Sequence, residues 1–465
     1  MRRSVILAAV AALAAACSTV YVAASASAAT ACAPAWSASA TYVKDNVAAK
    51  GGNNYTAKWW TQNEDPATHS GQWDVWVNNG ACGGTTNPSP SVSVSTPASP
   101  SPSTSPSASP TPSTSPSTPI PVGGLPKHAL IGYLHSSFAN GSGYLRMADV
   151  PADWDIINLA FGEPTSATSG DIQFKLCPVA ECPGVESEAD FIAAIRTKRA
   201  AGKKVLLSIG GANGQVQLTT TAARDKFVSS VSAIIDKYGL DGVDIDFEGH
   251  SLSLNTGDTD FKNPTTPVIV NLISAIKTLK TRYGTGFVLT MAPETFFVQL
   301  GYQYYGSGPW GGQDPRAGSY LPVIYAVRDI LTVLHVQDYN SGSIMGLDNQ
   351  YHSMGGADFH IAMTDMMLAG FPVAGNTANM FPALREDQIA FGAPSSVSAG
   401  NGYVAPAAVQ EAVNCLVKGV SCGSYAPRSG TNPNFRGLMT WSINWDRFYG
   451  WEFRNSHEPF LNALP

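Results

Sequence analysis

Residues 241–248 read Asp-Gly-Val-Asp-Ile-Asp-Phe-Glu, and this stretch decides the interpretation of the chain. Side chains of a β-strand alternate between two faces, so Asp244, Asp246 and Glu248 share one face and the intervening apolar residues share the other. Carboxylates about 7 Å apart raise one another's pKa values where water is excluded. The pattern therefore indicates a site that keeps one carboxyl group protonated near neutral pH.

The composition limits the classes of partner. The chain has 465 residues, 13% charged and 10% aromatic, with a formal net charge of -6. Its length exceeds one ordinary domain and allows a large core. Because no basic run follows Met1-Arg2-Arg3, we expect no nucleic-acid partner. The aromatic excess fits a neutral, flat-faced partner such as a sugar polymer, although composition alone favours a large aromatic core.

The first 29 residues are predicted to be a secretory signal peptide. Two arginines precede an apolar stretch at 5–16, and the small-residue run Ala-Ser-Ala-Ser-Ala-Ala follows at 24–29. The apolar stretch is too short to span a bilayer, so we expect cleavage at the end of that run and a secreted, extracellular protein without a membrane partner. A lipoprotein site at Cys17 is the weaker alternative, because Leu is missing three residues before it.

Six cysteines remain after that cleavage, and an even number in an exported protein predicts disulfides. The plausible pairs are Cys32 with Cys82, Cys177 with Cys182, and Cys415 with Cys422, although sequence alone does not fix the connectivity. No Cys-x-x-Cys pair or histidine cluster is present, so we predict no metal site and no cofactor.

The chain divides into three mature segments. Residues 85–126 are almost only Ser, Thr, Pro and Ala, which predicts an extended, semi-rigid linker. Before it lies a small, β-rich module at 30–84. About 50 residues cannot bury all the aromatic rings of this module, and exposed rings stack on sugar faces. The adjacent Trp59 and Trp60 cannot both point inward from a strand, so at least one is expected to face solvent.

Residues 127–465 alternate apolar runs with amphipathic stretches. Eight strand-then-helix units predict an α/β fold, a (β/α)8 TIM barrel, with its chemistry at the carboxyl ends of the strands. The clearest helices are expected at 188–200, 222–237 and 268–283. The predicted strands are 129–134, 156–161, 205–209, 242–247, 288–292, 333–339, 388–392 and 437–442.

The acidic strand suggests three chemistries. A calcium loop is disfavoured, because β-branched and aromatic residues separate the acids. A glycosidase with two carboxylates would need a nucleophile on another strand, and Glu294 has a suitable position. The Asp-x-Asp-x-Glu spacing favours a third possibility, in which Asp246 orients a substrate acetamide beside the acid Glu248 and the substrate supplies its own nucleophile.

Four motifs together resemble glycoside hydrolase family 18 chitinases. They are Ser208-Ile-Gly-Gly211, the Asp-x-x-Asp-x-Asp-x-Glu of residues 241–248, Gln337-Asp-Tyr-Asn340, which is typical of one branch of the family, and Trp441. The small module is similar to chitin-binding modules of families 5 and 12, through Ala57-Lys58-Trp59-Trp60-Thr61 and Gly71-Gln72-Trp73. That second resemblance implies chitin binding by Trp59 and Trp60, whereas Trp73 and Trp76 are expected in the core.

The family resemblance implies a role for each matching residue. Glu248 would be the proton donor and then the base, Asp246 would orient the acetamide, and Asp244 would share a proton with Asp246. Tyr339 would hydrogen-bond the acetamide oxygen. The expected substrate contacts are Trp441, Gln337, Asn340, Met291 and Tyr133.

Other residues are expected to support the site. The Ser208 hydroxyl should support the acidic cluster, and Asp241, out of phase with the other acids in an Asp-Gly turn, should be structural. His135 is expected in the cleft or a loop, not as a base. The aromatic loop after Glu294 should form either a cleft wall or a packed lid.

The combined prediction is a monomeric, secreted chitinase acting on chitin and N-acetylglucosamine oligomers. Only a helix and a disulfide loop fit between the last two strands, at 395–436, which predicts an open cleft and internal (endo) cleavage. Two alternatives stay open at this point, an endo-β-N-acetylglucosaminidase acting on glycoproteins and a non-hydrolytic lectin of the same fold.

Overall fold

The computed structural model describes residues 30–38, 40–42, 46–58, 61–62, 64–71, 75–83 and 124–465. The chain falls into two compact units, which are described separately. The predicted signal peptide, most of the predicted linker, and Trp59, Trp60 and Trp73 lie outside the described residues.

The large unit is a closed barrel of eight parallel strands, and the predicted (β/α)8 fold is confirmed. Each strand pairs in parallel with the next, and the last pairs with the first. The strands are β1 (Ala129–His135), β2 (Ile156–Pro164), β3 (Lys204–Gly210), β4 (Gly242–Asp246), β5 (Val288–Met291), β6 (Val333–Gln337), β7 (Ile389–Pro394) and β8 (Gly437–Trp441).

Helices cover the outside of the barrel. Polar side chains mark some of their starts, as where the Ser187 hydroxyl accepts from the Asp190 N–H, 3.1 Å away, before α1. Gly239 ends α2 in the left-handed conformation that glycine adopts without cost. The helices are α1 (Glu188–Ala200), α2 (Thr221–Tyr238), α3 (Pro267–Tyr283), α4 (Leu321–Val327), α5 (Ala357–Ala369), α6 (Pro406–Lys418), α7 (Ile443–Phe448) and α8 (Glu452–Asn462).

Strand alternation separates two hydrophobic clusters. On β4, Val243 and Ile245 point outward into the large core between barrel and helices. A smaller cluster fills the barrel interior, where Ile131 and Val333 are fully buried. Asp244 lies on the interior face of β4, because it is one residue out of phase with the outward-facing apolar residues. The barrel interior is therefore polar towards the carboxyl end of β4.

The connections after the strands differ in size. After β6 come two antiparallel hairpins, Ile344–Met345 with Tyr351–His352 and Phe371–Val373 with Asn376–Phe381, on either side of α5. The connection after β7, at 395–436, is fully described and contains α6 and the Cys415–Cys422 disulfide but no strand. The helix and the disulfide loop predicted for this connection are therefore both present.

The small unit contains a three-stranded antiparallel sheet, Val47–Lys50, Asn53–Ala57 and Trp76–Ala81. Trp76 is fully buried in its core, as predicted, and Tyr42 packs edge-on against it with 5.0 Å between ring centroids. The Cys32–Cys82 disulfide closes this unit. With Cys177–Cys182 and Cys415–Cys422, all three predicted pairs are present. No helix among the described residues is long and apolar enough to cross a membrane.

Candidate active site

The site is built on Asp244, which is fully buried inside the barrel. Three hydroxyl groups donate to its carboxylate: Tyr133 Oη at 2.7 Å and Ser208 Oγ at 2.8 Å to Oδ2, and Thr290 Oγ1 at 2.6 Å to Oδ1. Hydroxyl donors satisfy a buried carboxylate without adding charge. His335 Nε2 lies 3.4 Å from Asp244 Oδ1, and burial lowers the pKa of this histidine, which keeps it neutral.

Asp246 and Glu248 form a coupled pair above Asp244. Burial raises the pKa of Asp246 well above its usual range, and the charges of Glu248 and Asp244 and the hydrogen bond to Glu248 add to the rise. Burial also raises the pKa of Glu248, while hydrogen bonds from Gln337 and Asp246 oppose that rise. The proton of the pair therefore resides on Asp246, which donates to Glu248. The predicted sharing of a proton between Asp244 and Asp246 stays a prediction.

Gln337 lies at the carboxyl end of β6, across the barrel mouth from these acids. Its Nε2 donates to Asp246 Oδ1 at 2.9 Å, to Glu248 Oε1 at 3.2 Å and to the Ala292 carbonyl at 2.8 Å. The amide thus fixes the relative position of the two carboxyl groups. Gln337 was predicted to contact substrate, and that contact stays a prediction.

Glu294 follows β5 and is a third carboxyl group near the pair. Burial raises the pKa of Glu294 to about 8, the charge of Glu248 adds to the rise, and Arg316 opposes it. Its backbone pairs with that of Gln337 in an isolated parallel bridge. Glu294 is therefore largely protonated at neutral pH.

Tyr339 and Asn340 follow β6 on the same rim. Tyr339 is buried, and burial followed by the charges of Asp246 and Glu248 raises its pKa, so its hydroxyl remains a donor. Asn340 has a φ of 50° and exchanges two hydrogen bonds with Asn401 in the connection after β7: its N–H donates to the Asn401 carbonyl at 3.0 Å, and its Oδ1 accepts from the Asn401 N–H at 2.8 Å. Oδ1 of Asn340 thus joins two connections, and the predicted contact of Asn340 with substrate stays a prediction.

Trp441 ends β8 and forms an aromatic floor. It stacks on Phe161 with 5.5 Å between centroids and 7° between planes, and on Phe138 at 6.3 Å and 12°. The His135 ring, at the end of β1, is fully buried, and its centroid lies 4.6 Å from that of the indole. His135 therefore supports the floor, and the prediction that it lies in the cleft or a loop is wrong. Burial lowers the pKa of His135 to about 3, so it stays neutral.

The glycines after Ser208 allow the backbone to approach β4 closely. Gly210 has a φ of 119°, and a Cβ there would lie 2.1 Å from the Asp246 carbonyl oxygen. A Cβ on Gly211 would lie 2.6 Å from the Phe161 ring. The Gly211 N–H donates to the Asp246 carbonyl at 2.8 Å, which fixes the backbone of the acid. The motif therefore acts through packing, and its serine supports Asp244, in agreement with the prediction.

Of two further predicted substrate contacts, Met291 is wrong and Tyr133 stays a prediction. Met291 is fully buried in the outer core between barrel and helices, because it lies one residue out of phase with the inward-facing Thr290. Tyr133 is 1% exposed, and its hydroxyl is taken up by Asp244, so it supports the acid from below.

Asp241 lies at the opposite, entry end of β4. Its carboxylate accepts two hydrogen bonds from Arg199, both at 3.0 Å, and one from the Val205 N–H at 2.9 Å. This arrangement agrees with the structural role predicted for it.

Comparisons with known proteins identify the family. The model of glycosyl hydrolases family 18 matches residues 129–321. A protein of Arthroderma benhamiae named "Probable class II chitinase" is 69% identical over 319 residues, which cover 69% of this chain and 95% of that protein. The chain belongs to glycosyl hydrolase family 18.

Two further comparisons agree with this assignment. "Exochitinase 1" of Streptomyces olivaceoviridis is 74% identical over 337 residues, 72% of this chain, and the match spans only 56% of that protein. The crystal structure of a family 18 chitinase from Chromobacterium violaceum is 35% identical, with a TM-score of 0.65, and the match covers 93% of this chain and 100% of that one. The predicted resemblance to family 18 chitinases is confirmed.

Sequence reasoning missed three residues of this family 18 site. Thr290 and His335 both contact Asp244 from neighbouring strands, and their phase along β5 and β6 could have placed them inside the barrel. Tyr320 hydrogen-bonds the backbone of Phe247 from a position 73 residues away, and no local pattern signals this contact.

Proposed function

We propose that this family 18 chain is a secreted chitinase that hydrolyses the β-1,4 bonds between N-acetylglucosamine units with retention of configuration. The observation that carries the proposal is the buried Asp246 beside Glu248 at the carboxyl end of a barrel strand, where one Gln337 amide binds both carboxyl groups and burial raises both pKa values. A carboxyl pair in which one member keeps its proton near neutral pH is suited to acid–base catalysis on a neutral sugar polymer.

In this mechanism the substrate supplies the nucleophile. Asp246 passes its proton to Glu248, which donates it to the glycosidic oxygen, and the C1–O bond breaks as the acetamide oxygen of the same sugar attacks C1. The resulting oxazolinium ion carries the positive charge, and Asp246 holds the acetamide N–H. Water then attacks C1 as Glu248 takes its proton, the C1–acetamide bond breaks, and the product leaves with the original anomeric configuration.

The properties of Glu294 favour this route over a covalent glycosyl-enzyme. A carboxylic acid is a poor nucleophile, and the pKa of Glu294 is raised to about 8. The Tyr339 hydroxyl stays protonated, as a donor to the acetamide oxygen would have to be. The floor made by Trp441 and Phe161 offers an apolar face to the reacting sugar.

The relatives support chitin as the substrate. The Arthroderma benhamiae and Streptomyces olivaceoviridis proteins are both named chitinases. We further propose that the protein is a monomer, that it acts outside the cell, and that Trp59 and Trp60 anchor the small module to chitin.

The cleavage mode is proposed to be endo. The connection after β7 contains one helix and a disulfide loop and no strand, which supports an open cleft over a tunnel. The Streptomyces olivaceoviridis relative is named an exochitinase, so the mode needs its own measurement. Reducing ends and soluble products released from colloidal chitin should reveal cuts within chains, and strict release of short units from chain ends would contradict the endo mode.

Retention is tested by product configuration. We expect proton NMR of early products from a chitin oligomer to show the β-anomer first, with the α-anomer appearing only by mutarotation. An oligomer lacking the N-acetyl group at the reacting sugar should not be cleaved at that bond, because it has no acetamide to attack. Early α-product, or equal cleavage of the deacetylated bond, would overturn the mechanism.

A further inference from the structure

Phe247 occupies a position between the two coupled acids. Strand pairing of β4 ends at Asp246, whose partner is Gly210 on β3. Phe247 comes next, and Glu248 follows it. The orientation of the Phe247 peptide groups therefore sets where the Asp246 and Glu248 side chains point.

A single side-chain atom holds both polar groups of this backbone. The Phe247 N–H donates to Tyr320 Oη at 2.7 Å, and the same hydroxyl donates to the Phe247 carbonyl at 3.1 Å. The Tyr320 hydroxyl thus supplies, for Phe247, the two hydrogen bonds that a neighbouring strand would supply if β4 continued. Both groups are buried, so their partner is costly to remove.

Tyr320 is itself fixed in place. It is fully buried, its ring stacks on Phe297 with 6.1 Å between centroids, and its own N–H donates to the Phe297 carbonyl at 3.0 Å. It lies immediately before α4, at the end of the long connection after β5. Burial raises the pKa of Tyr320, so its hydroxyl keeps the proton that the carbonyl needs.

We propose that Tyr320 is a positioning residue for hydrolysis, which holds Glu248 and Asp246 at their reacting distances by clamping the Phe247 backbone. The inference rests on the proposed function, because it assigns Tyr320 a part in the reaction for which Glu248 is the acid. A displacement of a reacting group by about 1 Å can cost about 100-fold in rate. The clamp acts on the geometry of the acids and leaves the aromatic sugar floor unchanged.

The chain offers a matched control on the same connection. Tyr305 is 3% exposed, and its hydroxyl has no hydrogen-bond partner among the described residues. Tyr305→Phe and Tyr320→Phe therefore remove the same atom from two buried tyrosines after β5. Of the two hydroxyls, only that of Tyr320 binds the Phe247 backbone.

The test compares the two full-length variants on a soluble chromogenic chitin oligomer. Tyr320→Phe should lower kcat by about 10- to 100-fold with KM within about threefold, whereas Tyr305→Phe should keep kcat within about twofold. In a Glu248→Gln background, calorimetry should find that Tyr320→Phe leaves the Kd for a chitin oligomer within about threefold.

Each other outcome would overturn the inference. A normal kcat for Tyr320→Phe, an equal loss in both variants, or a loss confined to KM would remove the positioning role. A Tyr320→Phe protein that is unfolded at 25 °C also counts against it, since the hydroxyl would then hold the fold. If the wild-type protein cleaves no chitin oligomer, the proposed function fails; if it does and Tyr320→Phe matches it, only this inference fails.

Discussion

Replacement of the acid tests the site most directly. Glu248→Gln keeps the shape of the side chain and an oxygen that can accept from Gln337 Nε2, which lies 3.2 Å from Glu248 Oε1. The substitution removes the carboxylate that receives the proton of Asp246 and passes it to the leaving oxygen. It also removes the charge whose burial raises the pKa of Glu248, so no loss of thermal stability is expected.

The expected loss lies in kcat. General acid catalysis contributes about 100- to 10,000-fold, which corresponds to about 3 to 5 kcal/mol of barrier. Hydrolysis of a fluorogenic chitin oligomer should fall by at least the lower figure, while KM, the melting temperature and adsorption to chitin stay near wild type. Turnover within tenfold of wild type would refute the assignment of Glu248 as the acid.

Glu294→Gln is the matched control for that experiment. Both substitutions change a glutamate of the same cluster into its amide, and Glu294 already carries a proton at neutral pH. Its replacement should lower kcat at pH 6 by less than tenfold. A loss as large as that of Glu248→Gln would instead indicate a covalent nucleophile and would exclude attack by the substrate's acetamide.

Three further results are expected. The pKa of Glu294 is raised to about 8 in the folded chain from an ordinary 4.5, so between these pH values the folded chain holds a proton that the unfolded chain has lost. The melting temperature of the wild type should therefore fall from pH 5 to pH 8, and it should fall less steeply in Glu294→Gln. Equal slopes in the two proteins would contradict this. Ser208→Ala removes one donor to Asp244 and should lower the free energy of unfolding, measured in urea, by about 1 to 2 kcal/mol. Ser232→Ala should change it very little, because the Ser232 hydroxyl has no partner in the described part of the chain. Equal losses would argue against a stabilising role of the Asp244 hydrogen bonds. Deletion of residues 30–84 should reduce hydrolysis of solid chitin more than that of short oligomers, and an equal reduction on both would remove the anchoring role.

The period of the strands made most of the barrel predictable. Three acids spaced by two residues had to share a face, and the structure places Asp244 inside the barrel with the apolar residues of β4 outside. The same rule turns Met291 outward, because it neighbours the inward-facing Thr290, so its prediction as a substrate contact was wrong. Strand phase is therefore a stronger guide to side-chain direction than nearness to a strand end.

Contacts between residues far apart in the sequence could not be predicted from local sequence patterns. Gln337 joins Asp246 from 91 residues away, and Tyr320 joins Phe247 from 73 residues away. These contacts depend on how the connection after β5 packs over the barrel mouth. The raised pKa of Asp246 likewise depends on burial and on three neighbouring carboxyl groups, which no linear motif specifies.

The ion pair between Arg199 and Asp241 has a consequence for engineering. It fastens β4 at the rim opposite the acids, where the carboxylate also binds the Val205 N–H of the adjoining strand. The start of β4 is thereby held by contacts that are separate from those at the acids. New specificities can accordingly be grafted by exchanging the connections around the mouth, while this far rim preserves the scaffold that carries them.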